Sequence, residues 1–253
     1  MPSLKISAVS YLNTLPFIYG IKKSGFLEDY ELSLDVPSIC AEKVIQKKAD
    51  IGLIPVGALL KIPAYRLQSD YCIGAQGKVK SVLLLSNKPL DKIKKIYLDT
   101  ESRTSVALAR LLAMHFWKIQ PEYFYVPDGG NDRYRLLESV VVIGDKAFGL
   151  EPLYEFSYDL AAEWNRFTGL PFVFAVWASG RKLPDEQENA FAMATEYGVS
   201  CIRETIEDAY ETSKISIDLD DYYRNCLSYS LDDDKKKGMN LFLEYLKKAN
   251  FKQ

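Results

Sequence analysis

The chain has 253 residues, 48% of them hydrophobic, with 32 Lys and Arg against 34 Asp and Glu and a net charge of -2. Such a length and apolar content suit one large domain or two lobes, each with its own core, and exclude a disordered chain. The near balance of charge removes any bulk electrostatic case for nucleic acid or an anionic membrane surface, so an anionic ligand must be met by local geometry.

The opening stretch "MPSLKISAVSYLN" lacks the basic-then-apolar order of an export signal, and a cytoplasmic protein is expected. "LKISAVS" (4–10) reads as a strand, and Pro16 suits the first turn of a helix capped by Asn13 or Thr14. "ELSLDVP" (31–37) reads as a second strand, with Ser38 as the cap of "ICAEKVIQKK". "ADIGLIPVGALL" (49–60) gives a third strand running into another helix. "KSVLLLSNKPL" (80–90) and "KKIYLD" (94–99) predict two more strands, "SRTSVALARLLA" opens a helix over 102–118, and "SVVVIGD" (139–145) adds a strand. "FVFAVWA" (172–178) is far shorter than the roughly 18 residues that span a bilayer and reads as a buried strand. From about 184 to 250 the pattern predicts three helices, with "DDDKKK" (232–237) as a solvated helix start.

This alternation predicts an α/β protein with mostly parallel sheets. Two β/α blocks and a helical return predict two lobes: residues 1–88 with 175–253, and residues 89–174, hinged across an interlobe cleft. The four cysteines at 40, 72, 201 and 226 form no C-x-x-C pair and read as reduced, buried thiols.

In open parallel sheets ligands bind beyond the carboxyl ends of the strands, so the strand-exit loops hold the candidate residues. They are polar: "SYLNT" with Ser10 and Asn13, "IPVGA" with Val56 and Gly57, "SNK" with Ser86, "DTESRTS" with Arg103, Thr104 and Ser105, and "GDKA" with Asp145. A helix N-terminus offers backbone N–H groups and a partial positive charge to a carboxylate or phosphate. A single capping hydroxyl accounts for one of the three at 102–105; the others are either solvated or donors for a ligand. Asp145 reads either as a helix cap or as a base or orienting carboxylate. The single histidine, His115, sits among Leu111, Leu112 and Phe116 and reads as structural. Neither G-x-G-x-x-G nor G-x-x-x-x-G-K-[ST] occurs, so a nucleotide phosphate cradle has no support.

Taken in order, "VSYLNTLPFIYGI", "ADIGLIPVGALL", "SVLLLSNKPL", "SRTSVALARLLA", "VVVIGDKAF" and "YDLAAEWNRFTGLPFVFAVWAS" resemble the signature blocks of the chorismate dehydratase family of the futalosine route to menaquinone. The resemblance runs from about residue 4 to 179, and the pairing of "SRTS" with "TGLPFVFAVW" is its most specific part. It implies a two-lobed periplasmic solute-binding-protein-like (type II) fold used as a lyase without cofactor or metal. The implied reaction removes water from chorismate to give 3-[(1-carboxyvinyl)oxy]benzoate. A sister of the same fold, 1,4-dihydroxy-6-naphthoate synthase, resembles a histidine-dependent catalyst, whereas His115 lies inside a predicted helix. A receptor for small carboxylates is the rival from another class.

For that chemistry, Thr104 and Ser105 with their backbone N–H groups are expected to hold one carboxylate. Ser86 would line the cleft wall, and Arg103 would either neutralise the ligand or pair with an acid such as Asp99. Asn13 would orient the substrate or the leaving hydroxyl, since an amide donates and accepts at once, with Ser10 and the backbone at Val56 and Gly57 completing that side. The base would be Asp145 or the substrate's own enolpyruvyl carboxylate, tethered near C3 at high effective concentration. The sequence leaves the oligomeric state open.

Overall fold

A computed structural model describes residues 3–99, 101–127, 131–212 and 217–249. In chain order the elements are β1 (Leu4–Val9), α1 (Leu15–Lys23), β2 (Tyr30–Asp35), α2 (Pro37–Ile45), β3 (Ile51–Pro55), β4 (Arg66–Ala75), β5 (Val82–Ser86) and β6 (Lys95–Leu98). They continue with α3 (Arg103–Leu112), β7 (Glu122–Tyr125), β8 (Ser139–Ile143), α4 (Lys146–Leu150), β9 (Phe156–Asp159) and α5 (Leu160–Thr168). The chain ends with β10 (Phe172–Ser179), α6 (Asp185–Ser200), α7 (Ile202–Thr212), α8 (Leu219–Asp221), β11 (Ser228–Ser230) and α9 (Asp233–Lys248).

By its contacts the chain divides into two units, residues 1–74 with 173–232 and residues 75–172 with 233–253. The first holds a six-stranded sheet in the order β11-β4-β10-β3-β1-β2, and the second a five-stranded sheet in the order β7-β6-β8-β5-β9. The central strands are the apolar runs: β3, β5, β8 and β10 are buried along their whole lengths, as strands covered on both faces must be. The edge strands β2 and β7 alternate or face solvent.

The exchange points differ from those expected at 88 and 175. "SVLLLS" belongs to the second unit because β5 pairs with β8 on one side and β9 on the other. The last helix also belongs there. Phe242 packs edge-on against Phe172 and Trp164, with ring centres 5.0 and 6.0 Å apart, and Gly238 lets α9 approach the Pro171 carbonyl, which a Cβ would meet at 2.2 Å.

Strand direction is the second difference. β1 runs parallel to β2 and β3, and β6 runs parallel to β7 and β8. β10, however, runs antiparallel to β3, and β5 antiparallel to both its neighbours. The sheets are therefore mixed. Four strands were not anticipated, β4, β7, β9 and β11; the last three are four residues or fewer, too short for a period to show. The segment after β3 is a 3-10 turn, Val56–Lys61. The cap of α2 is Val36 rather than Ser38, with Pro37 in the first turn, where its missing N–H costs nothing.

Asp159 joins two segments of the second unit. Its Oδ1 accepts the Ala161 and Ala162 N–H groups at 3.1 Å, capping α5, while its Oδ2 accepts those of Val79 and Lys80 at 2.8 and 2.7 Å. These bonds hold Lys80 at φ 61°, a conformation lysine otherwise avoids. Lys235, expected on a solvated helix start, is fully buried. Cys40, Cys72 and Cys226 are buried and Cys201 half-buried, all as free thiols; burial pushes Cys40 up to about 12. No helix among the described residues is long and apolar enough to cross a membrane.

The core of the first unit is aromatic, with Phe17 edge-on to Trp177 and Tyr229 at 5.6 and 5.3 Å. Helices α1 and α6 cross through two glycines. A Cβ on Gly20 would lie 2.1 Å from the Ala194 carbonyl oxygen, and one on Gly198 2.0 Å from that of Pro16. Alanine at either position is expected to lower stability by about 1–3 kcal/mol, the usual cost of overpacking. Gly77→Ala, where a Cβ meets nothing within 4 Å, should change it by less than about 0.5 kcal/mol. Urea unfolding of the three variants checks this, and equal midpoints would contradict the close helix crossing.

Candidate active site

In the first unit, Asn13 and Val56 follow the parallel neighbours β1 and β3 and so emerge at one edge of the sheet. Asn13 lies in a 3-10 turn, Leu12–Thr14, ahead of α1. Thr14, at the N-cap of α1, makes no capping bond. Its hydroxyl instead donates to Asn13 Oδ1 at 3.1 Å, which helps to orient the amide. Two tyrosines far along the chain brace the turn: Tyr223 donates to the Leu12 carbonyl at 2.9 Å and Tyr229 to that of Asn13 at 3.0 Å. Sequence reasoning missed both, since nothing local marks a tyrosine that acts across more than 200 positions.

Ser10 is exposed, and its N–H donates to the Asp35 carbonyl at 2.9 Å. The Asp35 carboxylate beneath it receives Ser7 and Ser33 hydroxyls at 2.8 Å and Lys43 Nζ at 2.6 Å. Burial raises the Asp35 pKa, but the bonds from Lys43, Ser7 and Ser33 outweigh it and hold the carboxyl below its ordinary value. Val56 and Gly57 are buried at the start of their 3-10 turn.

In the second unit, α3 starts after β6, and Asp145 follows β8. These strands are parallel neighbours, so both loops leave the same edge. Ser102 caps α3, its Oγ accepting the Ser105 N–H at 3.2 Å and sharing a hydrogen bond with Ser105 Oγ at 3.0 Å. Ser102, Thr104 and Ser105 are all buried, and Arg103 between them is exposed. The turn is therefore not a solvated surface cap. The N–H groups of a helix's first turn point out of its N-terminus with the positive end of the dipole, and at α3 the Ser102 side chain takes that of Ser105. Asp145 stands at the N-cap of α4, but its side chain makes no capping bond.

Between these two loops lies an ion pair that the sequence did not reveal. Lys146 Nζ sits 2.7 Å from Asp99 Oδ2 and 2.8 Å from Glu101 Oε2. Asp99 is 1% exposed; its Oδ1 accepts the Glu101 N–H at 3.0 Å and its Oδ2 the Tyr134 hydroxyl at 3.1 Å. Lys146 also lies over the Tyr134 ring, 5.2 Å from its centre, and Tyr154 donates to the Tyr134 carbonyl. Burial alone lowers the lysine pKa, but the Asp99 and Glu101 carboxylates reverse this and raise it above its usual value. The partner of Asp99 is thus Lys146, where Arg103 was one expectation.

Ser86 is placed elsewhere. Because β5 runs antiparallel to β8, with Ser86 opposite Ser139, its exit lies at the opposite sheet edge from α3 and Asp145. Its hydroxyl shares a bond with Ser139 Oγ at 2.8 Å and donates to the Lys88 carbonyl at 2.8 Å, while accepting the Lys88 N–H at 3.0 Å. It is a buried turn-forming hydroxyl. The residues that β5 brings to the α3 edge are those entering it, and Ser81 there accepts the Gly144 N–H at 2.9 Å. His115 lies half-buried in a π turn, its ring 5.0 Å from that of Tyr245. Among the described residues, no three His, Cys, Asp or Glu side chains group to hold a metal ion.

The family model described as menaquinone biosynthesis matches residues 4–248. The chain belongs to that family. It is 27% identical to a chorismate dehydratase from Thermus thermophilus, covering 93% of this chain and 92% of that one. It is 28% identical to a chorismate dehydratase from Campylobacter jejuni, covering 69% and 66%. Among solved structures it resembles a protein from Archaeoglobus fulgidus (TM-score 0.73, 15% identity, 97% of each chain). It also resembles the alkanesulfonate-binding protein of Xanthomonas axonopodis (TM-score 0.64, 13% identity, 98% and 93%). These likenesses show the fold, that of the periplasmic binding proteins.

Lys146→Met removes the cation from a buried carboxylate and is expected to cost about 3–5 kcal/mol, read by denaturant unfolding. A loss below about 1 kcal/mol would mean that the pair does not hold the two loops.

Proposed function

We propose that this protein is a chorismate dehydratase, a carbon-oxygen lyase of the cytoplasm that converts chorismate to 3-[(1-carboxyvinyl)oxy]benzoate and water without a cofactor. The observation that carries this reading is the alignment with the Thermus thermophilus chorismate dehydratase over 93% of the chain.

In the elimination a base removes the proton from C3, and the electron pair delocalises through the ring alkene toward the ring carboxylate. That pair then forms the new double bond as the C4–O bond breaks, and the hydroxyl leaves as water after gaining a proton. The ring becomes aromatic, so the protein's task is to hold the carboxylate as charge builds on it and to orient C3–H and C4–OH. The first turn of α3, with Thr104 and Ser105, is suited to the carboxylate, because its donors and helix dipole are fixed before the charge arrives; one such donor is worth about 3–4 kcal/mol. Arg103 at the same turn adds a long-range positive charge. Asn13, whose Oδ1 accepts from Thr14, is suited to donate through Nδ2 to a substrate oxygen, with Ser10 and the backbone at Val56 and Gly57 completing that side. Ser86 has no part in this reading. Asp145, at the exit of β8, is the protein's candidate base, and the substrate's own enolpyruvyl carboxylate is the other.

The test is to incubate the purified protein with chorismate and follow the aromatic enol ether by mass. Asn13→Ala and Thr104→Ala should each lower kcat/KM by about 100-fold or more, while His115→Asn stays near wild type. A similar loss in Asp145→Asn assigns the base to the protein, and unchanged turnover assigns it to the substrate. Tight binding of chorismate with no product would instead make the protein a carboxylate receptor.

A further inference from the structure

We propose that the first unit carries a second small-molecule site, at the sheet edge opposite Asn13, that takes a small apolar molecule bearing one carboxylate. A cavity of about 320 Å³ opens there against Val44 and Ile45 of α2, Ile62 and Pro63, with Lys47, Asp50 and Arg181 as its charged groups and Gly180 in its wall. Its position follows from the strands. Asp50 precedes β3, and β10 runs antiparallel to β3 with Ala178 opposite Gly52, so Gly180 and Arg181 leave β10 where β3 begins. Val56 lies beyond the other end of β3, five residues or about 17 Å away. The cavity is therefore not part of the Asn13 loop cluster.

Three features suit it to an amphipathic acid. Its walls are aliphatic, and its volume falls in the range of small-ligand pockets. Its charges sum to one surplus cation: Asp50 accepts from Arg181 Nη2 at 2.6 Å and from the Lys5 N–H at 3.0 Å, which holds the guanidinium in place. Lys47, set at the rim by a left-handed φ of 58°, has no ion-pair partner among the described residues. At the end of α2 the Lys43 and Val44 carbonyls accept the N–H groups of Lys47, Lys48 and Ala49 at 2.7 to 3.1 Å, which ties the Lys47 turn to the helix.

Gly180 is the most informative residue. Its backbone does not need glycine, and a Cβ there would make only ordinary contacts, 3.5 Å to Ile62 and 3.9 Å to Val44. Neither conformation nor crowding demands the missing side chain. What glycine provides is the open space.

The probe is 4-isopropylbenzoate, with 4-isopropylbenzamide as its uncharged match, titrated into isotope-labelled full-length protein by NMR. Binding of the acid on the order of 1 mM or tighter is expected, with shifts at Val44, Ile62 and Gly180 that chorismate does not reverse. Gly180→Val should weaken it by about tenfold or more without changing chorismate turnover. Arg181→Gln and Lys47→Gln, both changes of exposed side chains, should remove the preference for acid over amide and remain readable if Gly180→Val fails to fold. Equal binding of acid and amide, unchanged affinity in folded Gly180→Val, or displacement by chorismate would overturn the proposal. The site does not depend on the reaction assigned above, so loss of either reading leaves the other standing.

Discussion

The candidate site in the second unit depends on one ion pair, that of Lys146 with the buried Asp99. Lys146 opens α4 just after β8, and Asp99 ends the run of β6, so the pair ties together the two loops that carry Asp145 and the α3 start. Two carboxylates on one ammonium, with a tyrosine hydroxyl and a backbone N–H also donating to Asp99, meet the condition under which a buried charge is tolerated. A looser link would free the start of α3, and its N–H groups would lose the fixed direction on which electrostatic stabilisation depends.

The first unit fixes its loop by different means. The Asn13 turn is held by neutral hydrogen bonds from Tyr223 and Tyr229, and the amide accepts from Thr14. Phe17, in the helix that follows, packs against Tyr229 and Trp177, so the same tyrosine serves the core with its ring and the loop with its hydroxyl. The segment returning after β10 therefore does more than cover the sheet. It braces a loop formed by the first 14 residues.

What the sequence disclosed and what it hid follow from the range of the physics involved. A capping hydroxyl at the start of α3, which the structure shows to be Ser102, Pro16 in the first turn of α1 and the buried run at 172–178 are local signals, set by backbone donors within one turn or by a continuous apolar stretch, and the structure has all three. The order of polar loops carried the family. Strand direction is not local, and this is why Ser86 was grouped with Thr104: an exit loop from a strand taken as parallel lands at the opposite edge when that strand runs antiparallel. The partner of Asp99 and the burial of Lys235 were hidden for the same reason, since a lysine in a polar run reads as solvated until its tertiary neighbours are known. The exchange points between units moved because pairing partners and the Gly238 contact, not composition, decide where a strand or a terminal helix docks.

The central claim is that the first turn of α3 receives a carboxylate of the reacting molecule. A crystal structure with 3-[(1-carboxyvinyl)oxy]benzoate bound tests it most directly. A carboxylate oxygen within about 3 Å of a backbone N–H or hydroxyl of Thr104 or Ser105 is the predicted result; a bound ligand that makes no contact with residues 102–105 would contradict it.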